Sequence, residues 1–90
     1  MGTSANAVGP FARAVNEKIR QLMLDRGISQ VRLSGMTGIP QTSISNAVFR
    51  ERSALTVHNF ELICRSLGVR PGAIADLAEE RAKGDDAPPA

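Results

Sequence analysis

Apolar side chains recur at three- and four-residue intervals along most of the chain, and no stretch alternates apolar and polar with a period of two. The pattern therefore predicts an all-α fold of five short helices. Val15, Ile19 and Leu22 mark one face of a first helix over about 10–26, with Asn16, Glu17, Lys18, Arg20 and Gln21 on the rest and Gly27 as its stop. Ser29 suits the N-cap of a second helix that carries Leu33 inward and ends near Met36. Thr37-Gly38 then makes a tight turn, because glycine takes a positive φ at little steric cost. A third helix opens at Pro40, where a missing N–H costs nothing, and runs to Val48 or Phe49 with Ile44, Ala47 and Val48 on one side. Arg50–Leu55 reads as a polar loop. Thr56 caps a fourth helix whose face is Phe60, Ile63, Cys64 and Leu67, closed by Gly68. The fifth follows Pro71, with Ile74, Leu77 and Ala78 as its stripe.

The 90-residue length allows one domain. Residues 10–82 are expected to hold it, with a flexible stretch at 1–9 and a flexible acidic, Pro-containing tail at 83–90, which reads KGDDAPPA. Aromatic residues make up only 3%, which argues against modules that stack bases on aromatic platforms. Cys64 is the single cysteine, so an internal disulfide is excluded and a thiolate zinc site is not expected. Residues 1–10 hold no Lys or Arg and no apolar run, and no segment is long and apolar enough to span a bilayer. A cytoplasmic location without membrane attachment is the expectation. The net charge of +2 conceals an asymmetry. Residues 1–75 hold nine Lys/Arg against four Asp/Glu, whereas 76–90 hold two against five. A basic body suits a polyanion on one surface.

Two short helices joined by a Gly-containing turn form a helix-turn-helix at about 29–49. Ser34 is small where the second and third helices would cross. Bulk at position 34 or 38 is expected to open that crossing, Gly38→Val through both a forbidden backbone angle and a clash.

The ordered run Ile19-Arg20, Gly27 with Ser29-Gln30, Leu33-Ser34, Gly38-Ile39 with Gln41 and Ile44-Ser45, and Leu67-Gly68-Val69 resembles the lambda-repressor-like helix-turn-helix family, also called Cro/repressor or XRE. The likeness covers about Ile19 to Leu77. It implies a five-helix DNA-binding domain whose third helix sits in the major groove. Three departures stand out. Ser34 replaces the usual Ala, and Pro40 replaces a Ser or Thr at the start of the third helix. An Arg–Glu pair that in many relatives ties the first helix to the end of the third is matched by the apolar Met23 and Val48. The loop after the third helix is also longer and more charged than usual.

The outward arc of the third helix holds Gln41, Thr42, Ser45 and Asn46, the candidate base-contacting residues. Gln and Asn can pair two-fold with adenine, and Ser and Thr can serve several bases. Outside such a motif the same arc would be only a solvated face. Candidate phosphate contacts are Gln30, which the resemblance places on the DNA backbone at a helix N-terminus, together with Ser43, Arg50 and Arg52. The competing reading of the arginines is a solvated loop with Glu51 as local partner. Arg13, Lys18, Arg20 and Arg32 read as ordinary surface charges. Phe49 leaves two alternatives, tucking under the loop or facing the groove against a thymine methyl.

His58 has no companion at ligand spacing, so neither metal nor cofactor is expected, and Cys64 reads as a buried inert thiol. No catalytic constellation is present, so an enzyme is not expected. The reading is a sequence-specific regulator of double-stranded DNA, most simply a repressor, working as a homodimer at least on DNA. The fifth helix, through Ile74 and Leu77, is its candidate dimer surface, with completion of the monomer core by both residues as the alternative. The alternative is a protein-interaction module or antitoxin that binds a partner protein.

Overall fold

The computed structural model describes residues 8–86, with side chains to residue 84. Five helices follow one another, and no strand occurs among the described residues. Helix α1 is Pro10–Arg26, begun by a proline in its first turn and ended by Gly27 at φ 64°. The Gly27 amide bonds the Leu24 carbonyl at 3.2 Å and the Ile28 amide bonds Met23 at 2.9 Å, which satisfies carbonyls the helix would leave open. Helix α2, Gln30–Thr37, is capped by the Ser29 hydroxyl and ends at Gly38 with φ 80°. Helix α3 opens as one α-helical turn over Gln41–Ile44, with Pro40 as the cap rather than the first helical residue. It then widens into a π-helix over Ser45–Phe49. Helix α4 is Val57–Ser66, capped by Thr56, whose side chain accepts from the Asn59 amide.

Helix α5, Pro71–Asp86, extends four residues past the boundary expected at 82. Gly84 within a helix costs only about 1 kcal/mol relative to alanine. Arg81 holds α5 to α1 through Glu17 at 3.2 Å, and Lys83 pairs with Glu80 at 3.7 Å. Val8, assigned to the flexible start, is buried at 7% exposure. The rest of those two expectations, residues 1–7 and 87–90, lies outside the described residues.

One core joins all five helices: Val15, Ile19 and Leu22 from α1, Leu33 from α2, Ile44 and Val48 from α3, Ile63 and Cys64 from α4, and Ile74 and Ala78 from α5. Helix α5 packs chiefly on α1, while α2 packs on both α3 and α4. Met23 and Val48 are both buried in this core. Ile74 completes the core, so of the two residues expected on a dimer surface only Leu77, 53% exposed, is available to a partner.

Candidate nucleic-acid interface

Local chemistry sets the α2–α3 turn. The Thr37 hydroxyl donates to the Leu33 carbonyl at 2.8 Å and accepts from the Ile39 amide at 3.1 Å. The Ser34 hydroxyl donates to the Ile39 carbonyl at 2.6 Å, so serine here is a strut across the turn and not merely a small residue. Gly38 donates its amide to the Ser34 carbonyl at 2.8 Å. A Cβ built on Gly38 would meet nothing within 4 Å, so the clash expected at this position is absent and only its positive φ demands glycine.

With the turn set, α3 buries Ile44, Ala47 and Val48 and turns its polar residues outward. Gln41, Thr42 and Ser43 are exposed, and Ser45 and Asn46 are half-buried. Phe49 is half-buried and packs against the core, which decides between its two alternatives in favour of tucking inward. Gln30 is half-buried at the first position of α2. There the Arg32 amide is taken by the Ser29 hydroxyl at 3.1 Å and the Leu33 amide by the Ser29 carbonyl at 2.9 Å. The amides of Gln30 and Val31 have no intrahelical acceptor and stay open to an outside one.

The far end of α3 is held by residues the sequence reading passed over. Arg20, read as a surface charge, donates from Nη1 to the Val48 carbonyl at 2.6 Å. The same nitrogen lies 3.6 Å from Oε2 of Glu51. That oxygen also accepts from Nδ2 of Asn16 at 3.1 Å, and Asn16 is only 1% exposed. A cation at the C-terminal carbonyls of a helix is favourable, because those groups carry the negative end of the helix dipole. An Arg–Glu link between α1 and the end of α3 is therefore present, displaced from the apolar Met23 and Val48 positions.

Glu51 is the one non-glycine residue with positive φ among the described residues, at 55°. Its carboxylate accepts one hydrogen bond, from Asn16, and forms an ion pair with Arg20, which ties this residue to α1. The signal for this link lay in Arg20 on the first helix and a lone Glu after the third, but their separation in the chain hid it.

Glu51 thus belongs to Arg20 and Asn16 and is not the local partner expected for Arg50 and Arg52. Both arginines are exposed, and neither is in an ion pair among the described residues. The π-turn fixes where their backbone starts. The Arg50 amide bonds the Ser45 carbonyl and the Arg52 amide bonds the Asn46 carbonyl, each at 2.8 Å. The start of α2 thus offers open amides, α3 an amide-and-hydroxyl arc, and the residues after it two exposed guanidinium groups in no ion pair among the described residues. Such a set offers donors to phosphate and both donors and acceptors to base edges.

Elsewhere the chemistry is quiet. Burial pushes the Cys64 thiol up to about 11, so it stays protonated at neutral pH. No cluster of His, Cys, Asp and Glu among the described residues could hold a metal ion. Among them, too, no helix is long and apolar enough to cross a membrane.

Comparison with curated proteins and with solved structures gives no significant match. The model of one family does match, that of the Cro/C1-type HTH DNA-binding domain, over residues 18–80. The match runs from α1 through most of α5 and contains the turn, the polar arc and the Arg20–Glu51 link. The chain belongs to the Cro/C1-type helix-turn-helix family of DNA-binding regulators.

Proposed function

We propose that the protein is a sequence-specific transcriptional repressor that reads double-stranded DNA with α3 in the major groove. The observation that carries this is the outward arc of α3, with the unpaired Arg50 and Arg52 directly behind it. Gln41, Thr42, Ser45 and Asn46 contact base edges. Gln30, Ser43, Arg50 and Arg52 contact phosphate and set the register. Occupancy of a promoter excludes polymerase, so no catalytic or metal chemistry is needed.

One module reads only a few base pairs, so two copies bind a two-fold operator with half-sites about 34 Å apart. Leu77 of α5 and Leu24 of α1, 53% and 82% exposed, line one groove and form the contact between copies.

Affinity measured against salt on selected and scrambled duplexes tests this. Asn46→Ala or Gln41→Ala should cost about 1–3 kcal/mol on the selected duplex and little on the scrambled one. Arg52→Ala should weaken both and reduce the salt slope by about one. Equal weakening of both duplexes by Asn46→Ala would remove α3 as the reading element and favour a partner protein as the ligand of this face.

A further inference from the structure

Glu51 sits in the chain between the two exposed arginines and combines several unusual features. Its φ of 55° is a region that costs a side-chain-bearing residue energy and persists where the surroundings dictate it. It follows the π-helix of Ser45–Phe49, so the chain has left α-helical register just before it. Its carboxylate is engaged by α1, with Asn16 Nδ2 at 3.1 Å and Arg20 Nη1 at 3.6 Å. Both anchors are themselves fixed. Asn16 is 1% exposed, and Arg20 also donates to the Val48 carbonyl at 2.6 Å. On either side, the Arg50 and Arg52 amides bond the carbonyls of Ser45 and Asn46 on the polar arc of α3. An acid between two arginines is ordinarily their nearest partner, and beside DNA it repels phosphate. Here α1 takes the carboxylate, and both guanidinium groups are in no ion pair among the described residues.

We propose that Glu51 is a positioning residue for DNA binding. Pinned to Asn16 and Arg20, it fixes the left-handed step of the chain that directs Arg50 and Arg52 to phosphate while Ser45 and Asn46 meet base edges. It touches no DNA and acts through the two arginines. The inference rests on the function proposed above. Charge alone would give the opposite sign. Deleting an acidic side chain next to a phosphate contact strengthens binding to a polyanion, whereas releasing the step weakens it.

Glu51→Gly tests this, because it deletes the carboxylate and accepts the positive φ without strain. Affinity is measured against salt on selected and scrambled duplexes, at a temperature at which thermal unfolding shows each variant folded. Glu51→Gly should bind both duplexes about tenfold more weakly, the worth of one charge-assisted contact. It should also reduce the salt slope by about one. Glu51→Gln keeps an oxygen for Asn16 and should restore most of the affinity and the slope. In a chain that carries Arg50→Ala and Arg52→Ala, adding Glu51→Gly should change affinity by less than about twofold, because residues that act through one another are not additive. A merely structural role would move neither the slope nor this coupling. If Glu51→Gly does not fold, Glu51→Asn takes its place with the same expectations, since asparagine also tolerates the left-handed angle and has a shorter side chain. Equal or tighter binding by the Glu51 variant, an unchanged slope, or the same loss without the two arginines would each overturn the inference. Any of these beside a reduced slope for Arg52→Ala leaves the proposed function standing, whereas a wild-type chain that binds neither duplex removes both.

Discussion

Replacing Glu51 separates the two interactions that this residue makes with α1, and leaves the Arg20 hydrogen bond to the Val48 carbonyl in place. Alanine removes both the acceptor for Asn16 and the partner of Arg20. Asn16 is 1% exposed, so its orphaned Nδ2 should cost about 1–3 kcal/mol. The ion pair is worth less. Its atoms are 3.6 Å apart and its side chains are 34% and 24% exposed, so solvent screening limits it to about 1 kcal/mol or below. Glu51→Ala should therefore destabilise by about 2–3 kcal/mol. Glutamine keeps an oxygen for Asn16 and loses only the charge, so Glu51→Gln should cost about 0.5–1 kcal/mol. Both variants keep a Cβ at the positive φ, so backbone strain cancels between them.

Thermal unfolding reads the difference. One kcal/mol moves the midpoint of a domain this size by about 4–8 °C, so alanine should lower it by about 10–20 °C and glutamine by a few degrees. Added salt should shrink the glutamine effect and leave the gap between the two variants, because only the ion pair is screened. Equal losses from alanine and glutamine, or an alanine loss within about 0.5 kcal/mol as for ordinary surface changes, would refute this account of the α1–α3 link.

Two glycines of α2 and its cap should respond in opposite directions. Gly38→Ala should cost about 1–2 kcal/mol for its φ of 80° alone, while Gly35→Ala, in the helix interior with open space around it, should stabilise by about 0.5–1 kcal/mol, both read from denaturant midpoints. Ser34→Ala removes the strut to the Ile39 carbonyl and should cost about 1 kcal/mol by the same measurement. Cys64 should resist alkylation in the folded protein at pH 8 and react on denaturation, and rapid native labelling would show that it is not sealed in the core. Its folded thiol is raised from 9.0 to about 11, so the unfolded chain loses that proton first. Its contribution to stability is full below pH 9 and declines as pH rises from 9 towards 11.

The sequence by itself determined what depends on neighbours along the chain. Gly27, Ser29, Gly38, Thr56 and Gly68 mark helix ends through caps that reach only a few residues, so those boundaries were legible from residue type. The buried face of α3 was equally legible, because helical periodicity places Ile44, Ala47 and Val48 together and leaves Gln41, Thr42 and Ser45 opposite. Tertiary structure decided the rest. Asn16 and Glu51 are 35 residues apart, and Arg20 and Val48 are 28 apart. No local pattern encodes which distant carboxylate or carbonyl a long polar side chain will meet. The π-turn, the inward tuck of Phe49 and the burial of Ile74 but not Leu77 follow from how the helices pack. The continuation of α5 to Asp86 had the same origin. A segment rich in Gly and Asp has weak helix propensity, and it is helical as the continuation of a helix that packs along α1.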